Sequence, residues 1–240
     1  MMFLCEDRAV CMLLTSNGPQ GDVAVDALDG LLDAPRGATR AVVVVDAILP
    51  FGGDKSTLLG HLEALHGLGW AELDVLSLLG SPRALAEERL RAADVVVGYG
   101  GSNHWLAHAW TSTGLDAVLR ELLDDRVYVG WSAGSMIFSR LQAAAATVFG
   151  DDEVERFGLS STGPAVPLFD WFLMPHLGAD YLPGQTPEWA AHHAPLLGGP
   201  SWFIDDDTVL VVRDAAGDPE VCSGGRWMRF DVTGALLAAS

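Results

Sequence analysis

The feature of this sequence best suited to chemistry is a serine between two glycines. The pentapeptide Gly130-Trp131-Ser132-Ala133-Gly134 follows the β-prone run Val127-Tyr128-Val129, and a helical pattern runs on from 135 to 146. A Gly-x-Ser-x-Gly between a strand and a helix forms a sharp turn that exposes the serine oxygen. The sequence therefore predicts a nucleophile at Ser132, with a purely structural turn as the alternative.

A serine hydroxyl is a poor nucleophile until a base takes its proton, so a histidine is required. His176 ends the apolar run Phe172-Leu173-Met174-Pro175, downstream of the serine turn, and this position favours it as the base. His104 and His108 share a helical face and have the spacing of metal ligands. No third ligand accompanies them, so we predict neither a metal nor any other cofactor.

An acyl-transfer site also needs hydrogen-bond donors for the developing oxyanion. The backbone N–H of Ala133, next to the nucleophile, is one natural donor. A second donor is expected at Gly100 or Gly101, where the missing side chain lets a substrate come close. A tight strand-to-helix turn is the alternative explanation for these two glycines.

The carboxylate that would orient His176 is ambiguous from the residues alone. Asp206 lies between two strand-like segments, whereas other acids lie between Ser132 and His176 or close to His176 in sequence. These alternatives are Asp151, Asp152, Asp170 and Asp180.

Composition excludes several classes of partner. The 240-residue chain is half hydrophobic and carries a formal charge of −18, which argues against binding nucleic acid or an anionic membrane. Three cysteines without a CxxC pair suit a reducing cytoplasm. Residues 1–7 lack a basic n-region, so we expect no signal peptide, and no apolar run reaches the length of a membrane span.

Short β-prone runs alternate with amphipathic stretches through the first 150 residues. Strands are predicted at 10–15, 41–46, 73–78, 95–97 and 127–131, and helices at 23–32, 54–68, from Pro82, and over 105–123 with a break near Gly114. This alternation predicts an α/β fold with a parallel sheet between helices, in which both glycine-rich turns lie at carboxyl ends of strands. Beyond residue 150, strand-like pieces at 168–174, 201–204, 208–213, 220–222 and 226–230 predict a β-rich extension. Residues 1–240 are therefore interpreted as a single α/β hydrolase domain.

The chain resembles the dipeptidase E and cyanophycinase family of serine peptidases, whose fold is similar to class I glutamine amidotransferases. The resemblance covers about residues 90 to 230. Five segments carry it: Gly-Gly-Ser-Asn at 100–103, Gly-Trp-Ser-Ala-Gly-Ser at 130–135, Pro-His-Leu at 175–177, Ile-Asp-Asp-Asp-Thr at 204–208 and Gly-Gly-Arg-Trp at 224–227. Amidotransferases of this fold have cysteine at the turn, so serine here looks like the peptidase branch.

The resemblance implies a role for each matching residue. Ser132 becomes the nucleophile and His176 the base, with Gly101 and Ala133 in the oxyanion hole and Gly100, Ser102 and Asn103 as substrate-binding residues. In cyanophycinase-like members the acid falls on Asp206, which we prefer, and in dipeptidase E it lies near Asp151 and Asp152.

One departure concerns substrate specificity. Dipeptidase E-like sequences have an arginine soon after the catalytic histidine, and here that stretch is Gly184-Gln185-Thr186-Pro187. Because bidentate carboxylate recognition needs a guanidinium, specificity for aspartyl peptides is in doubt. The leading hypothesis is a cytoplasmic serine peptidase acting on small peptides. The alternatives are a catalytically silent binding module and a small-ester hydrolase, and a homodimer is left open.

Overall fold

The structure is a computed structural model that describes residues 10–161 and 163–240, so the expectation for residues 1–7 lies outside the described residues. A seven-stranded sheet has the order β3-β2-β4-β5-β1-β8-β9. Its strands are β1 (Met12–Thr15), β2 (Arg40–Val44), β3 (Glu72–Leu76), β4 (Val95–Gly98), β5 (Val127–Trp131), β8 (Thr208–Val212) and β9 (Glu220–Ser223).

The first five strands of this sheet are parallel, and β8 and β9 add to its β1 side in antiparallel orientation. Strand β2 is buried on both faces, as its continuous valine run predicts. Val42 and Val44 join one hydrophobic core, and Val43 and Val45 join the other. The predicted α/β class, with a mostly parallel sheet between layers of helices, is therefore confirmed.

Nine α-helices are found in the described part of the chain. Those between the parallel strands begin within two residues of their predicted starts. The predicted 105–123 stretch is two helices separated at Gly114, whose φ of +68° suits glycine. The helices are α1 (Gly21–Asp29), α2 (Ser56–Gly67), α3 (Arg83–Ala92), α4 (Asn103–Ser112), α5 (Asp116–Leu122), α6 (Ala133–Met136), α7 (Gln142–Phe149), α8 (Glu153–Arg156) and α9 (Pro187–His193).

The helix predicted over 135–146 was wrong, because α6 ends after one turn and α7 starts only at Gln142. Tertiary hydrogen bonds take the carbonyl groups that a continuous helix would use. The Ile137 carbonyl accepts from the N–H of Ala165, and the Phe138 carbonyl accepts from Leu168. The Ser139 hydroxyl donates to a backbone carbonyl 2.6 Å away in the same incoming segment. This pairing replaces local helix formation.

A second sheet carries the remaining C-terminal strands in the order β11-β10-β7-β6. These strands are β6 (Phe172–Met174), β7 (Ser201–Ile204), β10 (Trp227–Phe230) and β11 (Leu236–Ala239). Strand β6 is shorter than the predicted 168–174, because the residues before it pair with the segment after α6. Strands β6 and β7 run parallel, with Met174 opposite Phe203. Both strands end beside the carboxyl end of β1.

Candidate active site

Ser132 occupies a tight turn between β5 and α6. Its φ of 49° and ψ of −109° lie in a sparsely populated region for a residue with a side chain. Close packing fixes the turn, since a Cβ on Gly134 would overlap the Gly98 carbonyl oxygen at the end of β4. The Ser135 hydroxyl ties α6 to β1, donating to the Thr15 carbonyl at 2.8 Å and accepting from the Thr15 N–H at 2.9 Å.

His176 follows β6 and is also held in an unusual backbone conformation, with φ of 67°. Within residues 10–161 and 163–240, Ser132 and His176 are the only non-glycine residues with positive φ. The His176 N–H donates to the Ser16 hydroxyl at 3.0 Å, and the Leu177 N–H donates to the Ile204 carbonyl at 2.9 Å. The backbone at His176 is thus anchored beside the ends of three strands, and strain concentrates on the two predicted reactive residues.

The two ring nitrogens of His176 link Ser132 to Asp206. Nε2 lies 2.9 Å from Ser132 Oγ, and Nδ1 lies 2.8 Å from Asp206 Oδ1. Burial raises the pKa of Asp206, but hydrogen bonds from His176 and Tyr181 outweigh burial and hold this pKa below its ordinary value. Asp206 is therefore ionised at neutral pH, and its Oδ1 is placed to accept a hydrogen bond from Nδ1–H, which leaves Nε2 facing the serine oxygen.

Two of the other four candidate acids have partners of their own, and the remaining two, Asp152 and Asp180, are exposed. Asp151 Oδ2 is 3.2 Å from Nε2 of the buried His104, whose Nδ1 is 3.3 Å from the Gln142 side chain. Asp170 pairs with Arg140 at 3.0 Å. The structure thus brings Asp206, and neither of these two acids, to His176.

Tyr181 is a member of the site that sequence reasoning missed. Its hydroxyl donates to Asp206 Oδ2 at 2.6 Å, and the same oxygen lies 2.7 Å from His176 Nδ1. The phenol is 61% exposed, so it caps the His–Asp pair from the solvent side. The only sequence signal was its place in a loop soon after His176. Spacing alone does not reveal such a contact.

The turn after β4 faces the serine turn, because Gly98 and Gly130 are paired in the sheet. Gly101 has φ of +132°, and a Cβ there would overlap the Ala47 carbonyl oxygen, so only glycine fits. Gly100 and Gly101 line a cavity together with Ser132.

The other residues predicted beside these glycines have different surroundings. Ser102 is fully buried, and its hydroxyl caps α4 by accepting from the Trp105 N–H at 3.1 Å. Asn103 is also buried, and neither residue lines the cavity. Ala133 is buried as the first residue of α6, directly after the serine.

The cavity beside Ser132 has a volume of about 420 Å³. His176 and Tyr181 close one side, and α2 contributes Thr57 and His61 to another. His61 lies within the helix predicted over 54–68, and the sequence gives it no functional role. Its helical position carries no signal for the cavity, because contact with the site depends on how α2 packs against the strand ends.

Comparison with known proteins agrees with this architecture. A crystal structure of a protein from Listeria monocytogenes EGD-e, provisionally assigned as a peptidase E, matches with a TM-score of 0.72 and 19% identity, over 90% of this chain and 99% of that chain. The crystal structure of a peptidase from an acI-B1 Actinobacterium matches with a TM-score of 0.68 and 16% identity, over 98% and 95%. No curated protein matches the chain significantly.

The fold is that of these two structures, and the site contains a half-buried serine on a tight turn with a histidine in contact. The family model for peptidase family S51 matches residues 12–218. The chain therefore belongs to peptidase family S51. It is a serine peptidase of the dipeptidase E type. Within the described residues, no helix has the length and apolarity required to cross a membrane.

Proposed function

We propose that the protein hydrolyses small peptides by a Ser-His-Asp mechanism. In this mechanism Ser132 is the nucleophile, His176 is the base and Asp206 orients the imidazole of His176. The supporting observation is the continuous hydrogen-bonded chain of 2.9 Å and 2.8 Å that runs from the serine oxygen through the imidazole to the carboxylate. Both distances lie within hydrogen-bonding reach, the requirement for a nucleophile and its base.

In this mechanism Ser132 Oγ attacks the scissile carbonyl carbon while its proton passes to His176 Nε2. Asp206 accepts the Nδ1–H bond and stabilises the imidazolium that forms. The N–H groups of Ala133 and Gly101 stabilise the negative oxygen of the tetrahedral intermediate. His176 then donates its Nε2 proton to the leaving amine, and an acyl group remains on Ser132. Water, deprotonated by His176, releases the acyl group and regenerates the serine.

Small peptides are proposed as substrates because the cavity of about 420 Å³ lies within the size range of small-molecule sites. It opens directly onto Ser132 and Gly101, where the scissile carbonyl must lie. A cytoplasmic location is part of the proposal, since three cysteines without a CxxC pair suit a reducing compartment.

The test is covalent labelling with a fluorophosphonate, combined with turnover measurements. Wild-type protein should be labelled at one serine and should cleave members of a dipeptide panel. Ser132→Ala should lose both the labelling and the cleavage. Ser112→Ala, which changes an exposed serine at the end of α4, is the matched control and should behave as wild type. Labelling that survives in Ser132→Ala excludes it as the nucleophile. Turnover of short-chain esters without turnover of any dipeptide favours the ester hydrolase.

A further inference from the structure

Three aromatic rings form a continuous wall in the cavity beside Ser132. The ring centroids of His61 and Trp131 are 4.5 Å apart, and those of Tyr99 and Trp131 are 5.1 Å apart. His61 Nδ1 lies 2.7 Å from the Tyr99 hydroxyl, which fixes the imidazole against the other two rings. The wall combines residues from α2 with residues at the ends of β4 and β5.

The rest of the lining is uncharged as well. Ile48, Asn17 and Thr57 complete the surface away from the serine, and no aspartate, glutamate, lysine or arginine is found among the described lining residues. Burial lowers the pKa of His61 and raises the pKa of Tyr99 to about 12. Both rings are therefore neutral at neutral pH. Tyr99 and Trp131 are almost fully buried, so only a small part of each ring is open to the cavity, and the lining as a whole is uncharged with a few hydrogen-bonding groups.

Such a wall discriminates strongly between classes of side chain. A carboxylate that enters it loses water and finds no cation, which is costly, and the formal charge of −18 adds repulsion. An ammonium group finds little open ring surface and no carboxylate to pair with. An aromatic or aliphatic side chain loses little hydration and gains packing against the rings.

We propose that this cavity binds the uncharged aromatic or aliphatic side chain of the substrate residue that supplies the scissile carbonyl, the P1 residue. The proposal rests on the proposed function, because it takes Ser132 as the nucleophile. A carbonyl between Ser132 and the Gly100–Gly101 turn directs the side chain of its own residue into the space that opens there. Peptides with an acidic residue at P1 are then poor substrates.

The experiment uses diphenyl phosphonate dipeptide analogues that differ only in the P1 side chain: benzyl, isobutyl, carboxymethyl or aminobutyl. The serine oxygen forms a bond to phosphorus and phenol leaves, so the inactivation rate measures P1 preference without turnover. The benzyl or isobutyl analogue should react about 100-fold faster than the carboxymethyl analogue. Equal or faster reaction of either charged analogue overturns the inference. Reaction that persists in Ser132→Ala instead shows that Ser132 is not the nucleophile. Failure of the P1 inference and failure of the proposed function are therefore distinguishable.

A gain of acidic preference provides a second test. Thr57→Arg places a guanidinium in the cavity and should shift the carboxymethyl-to-benzyl rate ratio upward by about tenfold, as expected for a new charge-assisted hydrogen bond. Leu59→Arg makes the same charge change on α2 at a residue that is 65% exposed and outside the cavity, and it should leave the ratio unchanged. An equal shift in both variants means that overall charge sets the preference, which contradicts a P1 role for this cavity.

Discussion

Replacing Asp206 with asparagine preserves the size of the side chain and removes one negative charge. In the structure both carboxylate oxygens are used, Oδ1 by His176 and Oδ2 by the Tyr181 hydroxyl. An amide has its single oxygen at only one of these two positions and an NH₂ donor at the other, so one of the two hydrogen bonds is lost. If the amide oxygen accepts from Tyr181, the NH₂ group faces Nδ1 and forces the proton onto Nε2. His176 then donates to Ser132 and cannot accept its proton.

The expected loss follows from the tautomer. A wrong tautomer in a Ser-His-Asp site lowers kcat by about 10⁴-fold, and at about 1.4 kcal/mol for each tenfold step this is about 5 kcal/mol. The assay is kcat on the best dipeptide of the panel, together with the rate of fluorophosphonate labelling at neutral pH. Binding of substrate should change much less than kcat, because Asp206 does not line the cavity. A kcat within about threefold of wild type refutes the reasoning.

Two neighbouring substitutions serve as controls. Asp207→Asn removes the same charge at the next residue, which is exposed, and should leave kcat near the wild-type value. Asp151→Asn tests the alternative acid. It should lower the free energy of unfolding, since Asp151 is the partner of the buried His104, and it should leave the tautomer of His176 unaffected. A large kcat loss in Asp151→Asn with none in Asp206→Asn would assign the acid to the segment after α7.

Tyr181→Phe removes one of the hydrogen bonds that lower the pKa of Asp206, so the pKa of Asp206 should rise. We expect kcat/KM to fall about three- to tenfold, and we expect the acid limb of the pH profile of kcat/KM to move to higher pH. An unchanged pH profile contradicts a positioning role for the phenol. Gly134→Ala forces a methyl group against the Gly98 carbonyl and should lower the free energy of unfolding by about 1–3 kcal/mol in urea denaturation. Gly60→Ala, in open space on α2, should raise the free energy of unfolding by about 0.5–1 kcal/mol. Equal effects of the two substitutions would show that contacts around each glycine do not determine the change in stability.

Strand positions were predictable wherever a local hydrophobic run is sufficient to define them. The bounds of β5 and β7 agree with those expected, since each run is buried along its whole length. The serine turn was also predictable, because Gly130 is needed for close packing against Ser135 within the turn itself. These features depend on neighbours in sequence, so the residue types alone carry the information.

Features that depend on distant backbone could not be predicted in this way. The helix after Ser132 breaks because Ile137 and Phe138 pair with residues that lie about 30 positions later in the chain. Tyr181 lies at the site because of the conformation of a loop, and His61 lies there because of how α2 packs against the strand ends. Neither residue has a sequence motif around it. A propensity argument treats each segment separately, whereas these contacts follow from how segments meet.

The choice of acid shows where the two kinds of information join. Strands β6 and β7 are parallel, with Phe172 opposite Ser201 and Met174 opposite Phe203. Continuing this register by two residues brings His176 level with the aspartates that follow β7. A slip of two residues in that register would move the acid by about 6.6 Å along the strand and break the 2.8 Å contact. The motif at Asp206 can therefore be recognised in the sequence. The contact between Asp206 and His176 depends on the register of β6 and β7, which spacing along the chain does not specify.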